Sequence, residues 1–192
     1  MNALTLLKQD HGNVDHLFSR FETLGSDADD EEKGRVRDLV IEQLSVHAAV
    51  EEQIFYPAVR QRLDDDFPVL EGLEEHHIVK WTLSELEGMS PSAERFDAKM
   101  TVLIESVRHH VGEEEDDLFP KVRSAFTVEE LNELGDSMAA LKSTAPTRPH
   151  PRTPDTPPFN TLLALPLVVA DRAVRTGLSL VVRAVKMTPL GH

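Results

Sequence analysis

The sequence predicts an all-α fold: an antiparallel four-helix bundle with a short extra helix, followed by a C-terminal tail that is both apolar and basic. Three observations predict it. Apolar residues recur at three- and four-residue spacing in four long segments. Strand-type runs rich in Val, Ile, Thr and Tyr are almost absent, and aromatic residues make up only 5% of the chain. A helical element carrying His and Glu occurs twice, which marks two copies of one hairpin.

The first helix carries Leu4, Leu7, His11, Val14, Phe18 and Phe21 on one face and ends at Gly25 and the acidic run behind it. The second carries Val36, Val40, Gln43, Leu44, His47, Val50, Glu51 and Ile54, and is expected to stop near Pro57, because proline removes a helical N–H and crowds the preceding turn. The third places Leu70, Leu73, His76, Val79, Leu83 and Leu86 on its buried stripe and ends at Gly88. The fourth carries Met100, Leu103, Val107, His110, Glu114 and Leu118 and is expected to stop near Pro120. A short helix from Thr127 to about Leu141 follows, with Thr127 as N-cap and Glu130 completing a capping box. Residues 1–142 form the bundle domain on this reading. Residues 143–158 hold six prolines and read as a linker, and 159–192 as an amphipathic tail.

Charge separates the same parts. Through Lys142 the chain has 14 Lys and Arg against 32 Asp and Glu; beyond it, 6 against 2. An acidic body adds charge to a phosphate backbone instead of releasing its counterions, so no nucleic-acid partner is expected. The absence of cysteine excludes disulfides, thiolate metal ligands and cysteine nucleophiles. The N-terminus lacks the basic and apolar regions of a secretory signal, so the expected location is cytoplasmic. The longest charge-free apolar stretch of the tail, Phe159 to Ala170, is shorter than the roughly 20 residues that span a bilayer. Its basic and apolar residues leave open a membrane surface, self-association or docking on the acidic body. The oligomeric state is not legible.

The chemistry lies in the repeat. His47-Ala-Ala-Val-Glu51-Glu52 and His110-Val-Gly-Glu-Glu114-Glu115 are offset by 63 residues, as are Pro57 and Pro120; Asp10-His11 matches Glu75-His76 at an offset of 65. Residues four apart on a helix share a face, so His47 with Glu51, and His110 with Glu114, each reach one point. All lie on apolar stripes with His11 and His76. Four imidazoles and two carboxylates therefore converge inside the bundle. Burying such groups uncompensated costs several kcal/mol each, against the ~5–15 kcal/mol that holds a domain folded. A pair of metal ions compensates them. Zinc prefers a tetrahedron of four ligands, and six N/O donors fit two octahedral ions better. This donor type accepts iron, manganese, zinc or nickel.

These doubled motifs resemble the hemerythrin-like, HHE cation-binding domains over about residues 1–125. The resemblance implies a four-helix bundle holding a non-haem di-iron centre, two iron ions with a bridging oxygen. It makes His11, His47, His76 and His110 the terminal ligands, and Glu51 and Glu114 the bridges. Oxygen-carrying members have a further histidine one turn after the third-helix ligand, where this chain has Lys80. Two coordination positions then remain for water or substrate. This favours binding or turnover of a small oxygen species (O2, H2O2 or NO) over simple O2 carriage. Catalase- or peroxidase-like activity, a non-enzymatic sensor or carrier, and an interaction module built on the tail all stay open.

Other residues are weighed against that set. Lys80 could place a positive charge near a bound peroxide, but is expected to be a solvated side chain. Asp15, four residues after His11, is a surface charge or else an extra ligand or acceptor for an imidazole N–H. Tyr56 could enter the site but is expected to pack near a helix end, and Glu52 and Glu115 to lie behind the ligands or face solvent. His16, His77 and His109 sit on more polar faces, and His150 and His192 belong to the linker and tail.

Overall fold

The computed structural model describes residues 1–25 and 29–152, and the expectations for the tail at 159–192 lie outside them. Helix α1 (Ala3–Leu24) is capped by Asn2, whose side chain accepts the Thr5 N–H at 2.9 Å. It ends at Gly25, whose φ of 68° lies in the left-handed region that favours glycine. Helix α2 (Asp30–Val50) has Asp29 as N-cap and three acidic residues in its first turn, where the helix dipole favours negative charge. Helix α4 (Phe67–Glu87) starts with a proline in its first turn, and α5 (Phe96–Glu113) follows it. Helix α7 (Val128–Lys142) begins with the expected capping box between Thr127 and Glu130.

The expected stops at Pro57 and Pro120 are corrected. The second and fourth rods run on through a five-residue π turn, Glu51–Phe55 and Glu114–Leu118, into the short helices α3 (Tyr56–Arg60) and α6 (Phe119–Ala125). Each π turn closes with an N–H from Tyr56 or Phe119 to the carbonyl of Glu51 or Glu114, five residues back. A proline ring crowds the carbonyl four residues earlier, and widening the helix by one residue accommodates it without ending the rod. The extra residue also shifts the register, so Phe55 is fully buried while the expected Ile54 is only partly so. On α4 the buried stripe starts at Val69; Leu70, expected inside, is 41% exposed.

The core is apolar at both ends and polar between them. One end joins Leu4, Leu7, Phe55, Val59, Phe119 and Val122 with Leu131 and Met138 of α7. The other joins Phe18, Val40, Leu83, Phe96, Met100 and Leu103. The polar layer falls between them because each helix places its histidine one turn from the apolar residues on either side. Among the described residues there is no strand, and no helix is long and apolar enough to cross a membrane. Helix α7 shields one end of the core, and its cap is a measurable part of that. Thr127→Ala, which removes the acceptor for the Glu130 N–H, lowers stability by about 1 kcal/mol, read as a lower Tm.

Candidate metal centre

The bundle delivers one histidine per long helix: His11 from α1, His47 from α2, His76 from α4 and His110 from α5. Glu51 and Glu114 open the two π turns. All six side chains are buried, Glu51 completely. Ligating atoms of His11, His47, Glu51 and Glu114 lie within 4.8 Å of one another, and so do those of Glu51, His76 and His110. Glu51 belongs to both groups and stands between them. Its Oε2 is 3.1 Å from His47 Nε2 and 3.3 Å from His76 Nε2. Glu114 Oε2 lies between the other pair, 3.3 Å from His11 Nε2 and 3.7 Å from His110 Nε2.

Every imidazole turns Nε2 inward and Nδ1 toward a carboxylate. His11 Nδ1 meets Glu115 at 2.8 Å, His76 Nδ1 meets Glu52 at 3.1 Å, and His110 Nδ1 meets Glu75 at 2.7 Å. His47 Nδ1 is 3.9 Å from Asp10, within ion-pair reach. A carboxylate behind a histidine fixes its tautomer and makes the inward nitrogen a better donor. The arrangement obeys the repeat: Asp10 and Glu75 serve the second-helix histidine of their own hairpin, Glu52 and Glu115 the first-helix histidine of the other. Lys142 of α7 ion-pairs with Asp10, so the extra helix steadies the carboxylate behind His47.

Sequence reasoning missed Asp10 and Glu75 as partners, although each immediately precedes a histidine of the repeat. The structure brings together all six residues expected to converge. Lys80, expected in solvent, is buried and donates to both oxygens of Glu52 at 2.9 and 3.1 Å, because the carboxylate that steadies His76 needs a counter-charge there. Tyr56, expected at a helix end, reaches the centre, and its hydroxyl donates to Glu114 Oε1 at 3.0 Å. Its counterpart in the second copy, Phe119, instead stacks on His11 at 5.9 Å, so the two halves differ chemically. Asp15 serves no imidazole: it is exposed and accepts from Arg108 at 2.8 Å. His16 is exposed, His77 accepts from the Trp81 indole at 3.1 Å, and His109 pairs on the surface with Glu113 at 3.2 Å. His150 stands apart from the cluster, and His192 lies outside the described residues.

The donor set fits cations. His11 Nε2, both oxygens of Glu51 and Glu114 Oε2 are buried without a hydrogen-bond partner. Orphaned buried acceptors are rare because desolvation goes uncompensated, and here several aim at the same space. A set of imidazole nitrogens and carboxylate oxygens suits a borderline divalent or trivalent metal. Burial disfavours a charged imidazole, but Glu51, Asp10 and Glu114 together outweigh it and raise His47 to about 10; the carboxylates of Glu51 and Glu52 likewise raise His76 to about 9. Burial opposes ionisation of Glu51 too, yet the facing His47 holds its carboxyl well below the usual range.

These directions fix a sign. Protonation of His47 and His76 stabilises the chelated protein fully below the unfolded-state value near 6.5, and that contribution is lost as pH rises through about 9 to 10. A metal needs both imidazoles neutral, so loading at pH 7 expels about two protons and apparent affinity rises with pH. Calorimetric titration of metal into chelated protein, in buffers of different ionisation enthalpy, counts those protons. A count near zero contradicts the assignment.

The hemerythrin HHE cation-binding domain model matches residues 2–122. An uncharacterized hemerythrin-like protein of Schizosaccharomyces pombe is 28% identical over 151 residues, 78% of this chain and 74% of that protein. A DNA nickase of Nostoc is 28% identical over 143 residues, 74% of this chain; the chain spans only 40% of that relative's length. Among solved structures, a hemerythrin HHE cation-binding domain-containing protein from Mycobacterium kansasii superposes with a TM-score of 0.63 at 27% identity, covering 74% of this chain and 86% of that one.

Proposed function

We propose, since this chain belongs to the hemerythrin HHE cation-binding domain family, that its buried cluster holds two metal ions, taken as iron, and binds or turns over a small oxygen species. The observation that carries this reading is the pair of ligand groups sharing Glu51, each histidine backed by a carboxylate. His11 and His47 would hold one ion and His76 and His110 the other, with Glu51 and Glu114 the carboxylates that would be shared between them. Such a pair supplies Lewis acidity and two-electron redox capacity when bound. Glu52, Glu75, Glu115 and Asp10 hold the imidazoles in the donating tautomer. Tyr56 offers an O–H beside Glu114, held neutral because burial and the surrounding carboxylates push its pKa well above the ordinary value. It is the chain's own proton donor at the centre, and it exists on one side only.

Turnover of hydrogen peroxide needs no outside reductant: two H2O2 give two H2O and one O2. We expect O2 evolution from added peroxide by the iron-loaded chain, with Tyr56→Phe slowing it while metal content stays the same. A reduced, loaded protein that shows neither O2 evolution nor any optical change on exposure to O2 contradicts the reading. A stable, reversible visible band without turnover turns it to carriage or sensing. Lys80, where oxygen carriers have a fifth histidine, weighs toward turnover, since a buried ammonium engaged with Glu52 adds no ligand.

A further inference from the structure

The repeat makes two edges of the bundle comparable, and they differ. Between α2 and α4, Lys80 lies buried and pairs with Glu52, the carboxylate that meets His76. Between α1 and α5, the residue corresponding to Lys80 at the 65-residue offset is Asp15, which turns outward to Arg108. There a cleft of about 470 Å³ runs inward and reaches all four histidines. Its walls are apolar: Val14 and Phe18 from α1, Val107 and Val111 from α5, and Leu44 and Val79 behind. The mouth is net acidic: Lys8 pairs with Glu115 and Arg108 with both Asp15 and Glu22, and Asp116 adds a further carboxylate.

Two helical glycines, Gly12 within α1 and Gly112 at the end of α5, line the same cleft. Glycine weakens a helix relative to alanine, and packing does not call for it here: a Cβ at either position meets nothing within 4 Å. What the two glycines provide is width. That width is out of proportion to the smallest ligands. A water molecule in the liquid occupies ~30 Å³, and peroxide or dioxygen needs little more. Clefts of roughly 300–1,000 Å³ with apolar walls and a few convergent polar groups hold organic molecules.

Resting on the reading of the cluster as an oxygen-handling metal centre, we propose that the α1/α5 cleft binds a neutral organic molecule with a terminal oxygen function, a hydroperoxide in class. The apolar body lies along Val14, Phe18 and Val107, and the oxygen end faces the four imidazoles. The net acidic mouth disfavours an anion, and the apolar walls reward an uncharged body of apolar length.

Straight-chain alkanols are non-reacting probes of the same shape. Titrated from 1-propanol to 1-octanol into the full-length chain and followed by calorimetry, they are expected to gain roughly fourfold in affinity per buried methylene until the cleft is filled. Bound octanol is also expected to slow the azide-induced optical change of the iron-loaded chain. Gly12→Leu and Gly112→Leu improve helix propensity and narrow the opening; they are expected to keep full metal content and to lose the gain with chain length. Affinity that does not depend on chain length overturns the proposal, as does an unchanged gain in both leucine variants. Metal content separates the two claims. Octanol bound by a chain that holds no metal supports the cleft and sinks the metal reading, whereas a loaded chain that ignores alkanols overturns the cleft alone.

Discussion

Glu51→Ala is expected to abolish stoichiometric metal binding at both positions while leaving the helices in place. Glu51 is the one side chain in both ligand groups, it is fully buried, and neither of its oxygens has a hydrogen-bond partner within the protein. Residues behind metal ligands typically change affinity by about 10–100-fold when removed. A shared ligand between two ions should exceed that, so retained metal should fall to a trace after dialysis. Glu51→Gln keeps the shape and one neutral oxygen, and it should retain helicity and lose metal almost as completely. The metal-free fold loses the ion pairs of Glu51 with His47 and His76, but both imidazoles can revert to the neutral form, so the helices should persist with a lower Tm. Circular dichroism with elemental analysis checks both halves. A Glu51→Ala protein that keeps two equivalents of metal removes Glu51 from the centre.

The second large effect lies in packing. Gly135→Val is expected to lower stability by about 3 kcal/mol, a fall in Tm on the order of 10 °C for a domain of this size. Helix α7 crosses the start of α1 so closely that a Cβ at Gly135 falls 2.1 Å from the Met1 carbonyl oxygen, and 2.7 Å from both the Ala3 nitrogen and the Asn2 carbonyl carbon. These are backbone atoms. They belong to the cap of a helix whose Ala3 is fully buried, so neither element yields cheaply. The consequence reaches the centre. Lys142 at the end of α7 pairs with Asp10, the carboxylate facing His47, so displacement of α7 should also loosen metal retention. Thermal melts of Gly135→Ala and Gly135→Val, ranked in that order of increasing damage, test the close approach. An alanine variant as stable as the parent contradicts it.

The convergence of the six inner residues was legible because it rests on two local regularities. Helical spacing puts His47 with Glu51, and His110 with Glu114, on one face; the duplicated offset then brings two such faces together. The helix ends at Gly25 and Gly88 and the cap at Thr127 are equally local, and they stand where the sequence places them. What escaped was not local. Proline signals a break, yet whether a helix stops or widens depends on what the following residues can bury. Here Phe55, Tyr56, Val59, Phe119 and Val122 belong in the core, so the rods continue. Lys80 reads as a surface cation from its own helix; the carboxylate it meets, Glu52, lies 28 residues away on another rod. Tyr56 likewise depends on the π turn for its direction into the centre. Asp10 and Glu75 were visible beside their histidines, but their targets are on the neighbouring helix, which sequence spacing alone does not choose.

The central claim is that the inward-turned imidazoles and unpartnered carboxylate oxygens form one built centre for two cations. Elemental analysis of the full-length chain, produced in iron-replete medium and dialysed against metal-free buffer, tests it most directly when paired with native mass spectrometry. The account predicts two metal ions per chain, with none retained by the Glu51→Ala protein of equal helicity. A well-folded parent chain that carries no stoichiometric metal, and takes up none when iron, manganese or zinc is offered, contradicts it.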